Sequence, residues 1–589
     1  MKRRILSLII AAVLAIGILA GCASNKTEDE KLLEFADQMA RSTLETSTVN
    51  IHFSLAHPES YGIADIKPTL GTYANDESIA DAEAELAQYE TELAKVDYGK
   101  LTGDGKMLYD YLQASLNAGR AMQGLEFYVE PLSVIGGEQM SIPVLMWNYL
   151  LYDKGDAEDY IGLLNDLPRY FEEIAEFEKR RSELGYFMPD ASADKIIEQC
   201  RAQADVGDDH FLIAAFNSRI ENIEGITSDE IEKYQAENMI AMKESYSAAY
   251  SRLADDIETL KGTGINDGGV ANLDGGKEFY EAKVQTSAGV DKTISEIKAG
   301  FESRIVQIST QFMKILALKP NLIDELMTYA PELSGHNEII DALKNNLLED
   351  FPAPPEVNYW FDNAPEELSE NLNPALYIIA PADAYQNNQI VWNIKDESAS
   401  AQTFSTLAHE SYPGHLYQNV SFLDTKPALI RTIPWNVGYV EGWGLYAELY
   451  SYKWMTDDKE LNELAALNTE LTLCLYAIAD INVNYESASF DDYLDFWTMY
   501  GVDVRGDETI LEEFTKMYYD YLTMQPGVYI NYAQGYQELR SLRDKYVDKG
   551  NMELKDFHSK VIKAGAVPFK MLDDYLDGKY DTAASANAE

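Results

Sequence analysis

The sequence predicts a mainly α-helical protein with a small antiparallel β ribbon placed just before the helix that carries the candidate chemistry. Three observations predict it. Segments such as "DESIADAEAELAQYETELAKV" and "DYIGLLNDLPRYFEEIAEFEKRRSEL" repeat apolar residues at three and four positions, the period of an amphipathic helix. The pattern breaks at "FPAPPEV" near residue 351. Two β-branched and aromatic stretches follow, "ALYIIAP" (375–381) and "NQIVWNI" (388–394), with the turn-forming "PADAYQN" between them. Finally, the 589 residues are 46% hydrophobic and 11% aromatic, enough to fill a sizeable interior and unlike a disordered chain.

The elements run in this order. Residues 1–21 read as a secretory signal: a basic head (Lys2, Arg3, Arg4), then an apolar run from Ile5 to Ala20, short for a bilayer-spanning helix of about 20 residues. Leu19-Ala20-Gly21-Cys22 is similar to the lipobox of bacterial lipoproteins, which implies cleavage before Cys22 and a diacylglycerol on its thiol. The body would then lie outside the cytoplasm, anchored to the membrane, with residues 22–30 as a polar tether. A helical part is expected over 31–350 and a metal-site part over 351–580, together forming one continuous catalytic fold, with a flexible tail at 581–589. The glycine-rich stretch 262–280 lacks the Gly-Lys-Ser/Thr ending of a phosphate loop and reads as a surface loop.

Charge excludes one class of function. Acidic residues outnumber basic ones 99 to 47, a net charge of −52, and losing Lys2, Arg3 and Arg4 takes the mature chain to −55 (52 + 3). Nucleic-acid binding needs basic patches, so it is not expected. Anionic lipid would repel such a surface, leaving the lipid anchor to hold it at the membrane. Only Cys200 and Cys474 remain after the signal, too few for a disulfide framework or a thiolate zinc site, and both are expected to be buried and inert.

The chemistry concentrates in "LAHESYPGHLYQ" (407–418), which holds His409, Glu410 and His415. In an H-E-x-x-H helix the histidines are four apart and share a face. Here they are six apart, so a regular helix would turn His415 about 120° away from His409. Pro413 prevents a regular helix, and with Gly414 as the joint a bulge or break would swing the second imidazole back. A zinc hydrolase needs neutral imidazoles, a carboxylate ligand, an open position for water and a second carboxylate as base. His409 and His415 supply nitrogens, and Glu410 takes the position of the base. The third ligand is sought 26 residues past His415, in "YVEGWGLYAELY" (439–450). Glu441 and Glu448 are seven apart on one helical face, one a candidate ligand and the other a candidate partner behind it.

"HESYPGHLYQ" followed by "EGWGLYAELY" resembles the bacterial domain-of-unknown-function family eight hundred eighty-five, with its H-E-x-x-P-G-H-x-x-Q and E-G-W-x-x-Y-A-E motifs. "NPALYIIAPADAYQNNQIVWN", "QPGVYINYAQGYQELRSLRDKY" and "FHSKVIKAGAVPF" are similar to flanking segments of that family, and only Ser411, where many relatives have glycine, departs from the main motif. The resemblance implies a large multi-helix, gluzincin-like metallopeptidase fold, related at the site to carboxypeptidase Taq and oligopeptidase-type enzymes. It implies one zinc ion per chain on His409, His415 and Glu441, with Glu410 as base and Gln418 as a motif companion.

On this reading Tyr532, at the tyrosine of the P-G-x-x-x-x-Y pattern, donates to the developing oxyanion. Arg543, eleven residues on and within about 20° of the same helical face, would bind a substrate carboxylate. If 388–394 were an edge strand, Trp392 and Asn393 would flank an extended peptide paired to it. Peptide is thus the expected substrate. An anchored acidic body would equally serve a non-catalytic lipoprotein that binds peptides or another solute, and the same metal site would serve a non-peptide amide or ester.

Overall fold

The computed structural model describes residues 26–581 apart from 65, 331–332, 334, 370–371, 395–399 and 503–508. The lipidation expected at Cys22, and all of the tail expected at 581–589 except Asp581, fall outside the described residues. The fold is mainly helical with a three-stranded sheet. Its helices include α1 (Lys154–Leu184), which lies in a separate buried cluster, and seven in or behind the site: α2 (Gly276–Ala288), α3 (Ala401–Glu410), α4 (His415–Leu423), α5 (Val437–Ser451), α6 (Lys459–Asn484), α7 (Val528–Arg543) and α8 (Leu554–Ala564).

Helices form where the apolar period and the caps agree. Asp153 caps α1 by accepting from the Gly155 and Asp156 N–H groups, and Gly185 ends it in the left-handed region at φ 79°. Ser400 caps α3 by accepting from the Thr403 N–H, after which Phe404, Leu407 and Ala408 turn inward. α6 is apolar and long enough to cross a membrane, but 61% of its apolar window is buried inside the protein, so it is a core helix.

The sheet holds the expected ribbon and a strand that local signals did not reveal. β2 (Ala375–Ile378) and β3 (Asn387–Trp392) pair antiparallel, from Ala375 opposite Trp392 to Ile378 opposite Gln389. β1 (Asn358–Asn363) pairs parallel with the other side of β3, giving the order β1-β3-β2. β3 is therefore the central strand, buried from Asn388 to Trp392, and the edge strand expected at 388–394 is instead β2.

One buried apolar cluster takes in Leu32, Leu112, Leu347, Phe404, Trp443, Leu539 and Tyr580, so residues of both predicted parts share an interior. Cys200 and Cys474 are both buried and free. The glycine-rich stretch is a surface loop as expected over 262–268, and only its second part packs inward. The Val270 N–H donates to Asn484 Oδ1, and a Cβ on Gly269 would fall 2.2 Å from the Val483 carbonyl oxygen, so this backbone lies flat on the end of α6.

Two devices fix α7 against its neighbours. A Cβ on Gly442 of α5 would fall 2.4 Å from the Gly535 carbonyl carbon, and one on Gly535 of α7 would fall 1.9 Å from the Gly438 carbonyl oxygen. The two backbones touch, which explains glycines in helix interiors where each costs about 1 kcal/mol relative to alanine. At its start, α7 is held by buried Asp480, whose two oxygens accept from the Gly527 N–H at 3.0 Å, and Oδ1 also from the Tyr280 hydroxyl at 2.9 Å and Asn484 Nδ2 at 3.0 Å. Together these set the position from which α7 presents Tyr532.

Candidate metal centre

Histidines six apart meet because the helix between them stops. α3 ends at Glu410, the backbone leaves helical geometry at Ser411, a cis Tyr412–Pro413 peptide follows, and α4 begins at His415. The imidazole centroids are 4.7 Å apart with the rings nearly perpendicular, at 84°. Gly414 permits the reversal, since a Cβ there would fall 1.7 Å from the His409 carbonyl oxygen. The Trp443 Nε1–H fastens the break to α5 by donating to the Pro413 carbonyl at 3.0 Å.

α5 separates the two glutamates that spacing alone left equivalent. Glu441 Oε2 lies 3.6 Å from His409 Nε2 and 3.5 Å from His415 Nε2. Glu448 Oε2 lies 3.2 Å from His409 Nδ1, on the far side of the same ring. Between them, a Cβ on Gly444 would fall 2.7 Å from His409 Nε2 and 2.8 Å from His415 Cε1. The motif thus sets a carboxylate at each end and hydrogen alone where the imidazoles pass.

This donor set fits a tetrahedral metal. One ligand atom from each of His409, His415 and Glu441 lies within 4.8 Å of the others. Bonds of 2.0–2.1 Å to zinc set ligand atoms about 3.4 Å apart, close to the Glu441–imidazole distances. The charges interlock as well. Burial opposes a charge on His409, but the hydrogen bonds it donates to the Glu441 and Glu448 carboxylates outweigh it and lift His409 well above the usual histidine range. Burial also opposes a charge on Glu441, yet the two imidazoles hold it well below the usual carboxylate range. A divalent cation would take the place of a proton between His409 Nε2 and Glu441.

The flanking groups are oriented. Burial raises the Glu410 pKa, while His409, His415 and the Tyr377 backbone pull it down. The Tyr377 N–H, on the outer edge of β2, donates to Glu410 Oε2 at 2.8 Å. The Tyr532 ring centroid stands 6.3 Å from that of His409. Burial first, then the Glu441 and Glu410 carboxylates, raise its hydroxyl well above the usual tyrosine value, so it is a protonated donor. His409, Glu410, His415, Glu441 and Tyr532 line one cavity of about 350 Å³, and Gln418 joins them, 8% exposed with Nε2 buried and without a partner.

A family profile for bacterial proteins of unknown function, DUF885, matches residues 60–576. The chain belongs to DUF885. Six solved chains match it in structure. A candidate lipoprotein from Colwellia psychrerythraea is 18% identical with a TM-score of 0.79, covering 94% of this chain and 99% of that one. A candidate lipoprotein of unknown function from Shewanella oneidensis is 16% identical with a TM-score of 0.58, covering 93% and 99%. At these identities the likeness speaks for a shared fold alone. No curated protein matches.

Other residues singled out in this DUF885 chain lie away from the cavity. Arg543 shares Tyr532's face of α7, but eleven residues at 1.5 Å rise carry it about 16 Å along the axis. There it sits over the Tyr450 ring, 3.8 Å from Asp548. Trp392 is 5% exposed and packs against Phe361. Asn393 directs its amide to the Ser369 and Leu372 carbonyls at 2.8 and 2.9 Å. Both belong to the central strand and its exit, which is why neither reaches the cavity. His558 stacks on Phe351 and shares hydrogen bonds with Tyr446 and the Asp350 carbonyl, and burial holds it down to about 3. Three site residues escaped the sequence reading: Tyr377, Gly444 and Arg431. Gly444 alone left a signal, as a glycine inside a helical motif.

Proposed function

We propose that this DUF885 protein is a zinc-dependent peptidase, gluzincin-like in its motifs, tethered outside the cytoplasm by lipid on Cys22. One observation carries the reading: within a single cavity, His409, His415 and Glu441 converge on one point while Glu410 and Tyr532 flank it. The lipobox-like "LAGC" and the lipoprotein descriptions of both structural relatives support the tether.

Zinc bound by His409, His415 and Glu441 would supply Lewis acidity towards a carbonyl oxygen and a water. The chain's own groups do the rest. Glu448 accepts the His409 Nδ1–H, which fixes the tautomer and leaves the Nε2 lone pair facing Glu441 and His415. Glu410 takes the proton of the attacking water and passes it to the leaving amine, with Oε2 steadied by Tyr377 and Oε1 left for the transfer. Tyr532, and the partnerless Nε2 of Gln418, donate towards the negative charge growing on the carbonyl oxygen. The outer edge of β2 borders the cavity and takes the peptide-pairing role first assigned to β3.

The test is a mixed-peptide digest by the zinc-loaded chain from residue 23 onward, run beside Glu410→Gln. The variant is expected to keep its zinc and lose at least about 10²-fold in hydrolysis. Equal hydrolysis by both proteins would end the peptidase reading, and cleavage of esters but no peptides would transfer the site to another substrate.

A further inference from the structure

A guanidinium with no carboxylate paired to it among the described residues borders the same cavity. Arg431 lies on the short 3-10 turn Leu429–Thr432 and lines the cavity that Glu410 lines. Its plane packs 4.5 Å from the Tyr111 ring centre and 5.8 Å from that of Phe422. One terminal nitrogen donates to the Ala564 carbonyl, and Nε is buried without a partner. Among the described residues no carboxylate comes within 4.0 Å, and the titratable groups that bear on it most are the tyrosines 111, 439, 575 and 580.

Among the described residues the two buried arginines, Arg181 and Arg304, are treated differently from half-buried Arg431. Arg181 gives its fork to Glu178 and Glu130 and its remaining donors to the Phe127 and Tyr186 carbonyls. Arg304 clasps Glu470 through two bonds of 2.5 and 2.6 Å. Burying an N–H without a partner is costly, and of these three arginines Arg431 alone carries one, at Nε, and alone lines the cavity. Its neighbourhood is built for it. Gly565, at φ 65°, lies where a Cβ would strike Phe422 at 2.3 Å, and this close passage sets the Ala564 carbonyl on the guanidinium and Ala566 in the cavity wall.

We infer that Arg431 is a carboxylate-binding residue, and that the substrates are short peptides held by a free C-terminal carboxylate on an apolar residue. A planar fork matches a carboxylate with two parallel hydrogen bonds. A peptide carries one such group outside its side chains. The cavity also holds Glu410, Glu441 and Glu448, which disfavours a more highly charged ligand. Phe422 packs beside Arg431, and Leu423, Val440, Ile562 and Ala566 add apolar wall to the same cavity for the terminal side chain. A volume of about 350 Å³ is near the lower end for small-ligand sites and suits a few residues. The peptide part of this inference rests on the proposed function; the carboxylate part does not.

Two measurements test it and separate those parts. In the first, the zinc-loaded mature chain meets one peptide ending in leucine, as the free acid and as the amide. The acid is expected to have the higher kcat/KM by about 10- to 100-fold, and Arg431→Gln is expected to bring that ratio close to one, chiefly through KM. Arg431→Lys, with the charge but no fork, should give an intermediate ratio. In the second, N-acetyl-Ala-Leu and its amide are titrated calorimetrically into the metal-free mature chain. Binding of the acid tighter by about tenfold or more, lost in Arg431→Gln, supports the inference. Equal handling of acid and amide by the unaltered chain, in either measurement, overturns it whether or not the variants fold. Cleavage of neither peptide, with the acid still preferred in binding, would count against the peptidase reading while leaving the carboxylate site standing.

Discussion

The polar clusters around Arg181 and around His409 are both buried and both charged, yet they are closed in different ways. Arg181, 1% exposed, directs every N–H of its guanidinium to a protein acceptor, two of them to the oxygens of fully buried Glu178. Its guanidinium has no N–H left over for a ligand, and only Glu130 Oε2 in the cluster lacks a partner. At the other cluster Glu410, Glu441 and Glu448 stand around two imidazoles with no lysine or arginine among the described residues bridged to them, and the group opens onto a cavity. Burial with all partners internal marks a structural cluster; burial with a surplus of acceptors facing a cavity marks one that awaits a cation. Arg431 repeats the lesson with the opposite sign.

Substitutions can break or sharpen that contrast. The largest effect on stability is expected at the closed cluster. Arg181→Met leaves Glu178 and Glu130 buried without a counter-charge and should cost about 3–5 kcal/mol of unfolding free energy in a denaturant titration, with kcat/KM per folded molecule intact. Tyr532→Phe should do the reverse, lowering kcat by about 10²- to 10³-fold with the unfolding midpoint hardly moved. A smaller effect is expected from Glu448→Gln, which takes the negative charge from the acceptor behind His409 and should weaken zinc binding about 10- to 100-fold in a chelator competition. If Arg181→Met abolished catalysis without a loss of stability, or Glu448→Gln left zinc affinity unchanged, the distinction between closed and open clusters would fail.

The sequence disclosed what depends on neighbours along the chain. Pro413 and Gly414 break a helix by local rules, so the meeting of His409 and His415 could be read before any coordinates. The β2–β3 ribbon was legible for the same reason, because a short turn joins its strands. β1 was not, since parallel pairing with β3 across an intervening strand leaves no local mark, and that omission turned a central strand into an apparent edge. Arg543 was misplaced because angular period was read without axial rise. Glu441 and Glu448 shared a face and could not be told apart until the rings lay between them. Arg431 was invisible because its backbone partner is 133 residues away.

The account stands most directly on where a metal sits. Crystals of the zinc-loaded chain from residue 23 onward, measured on both sides of the zinc absorption edge, would locate it without reference to activity. One strong anomalous peak per chain, in contact with His409 Nε2, His415 Nε2 and Glu441, is the predicted result. No peak at that point despite full zinc loading, or a peak held by other residues, would contradict it.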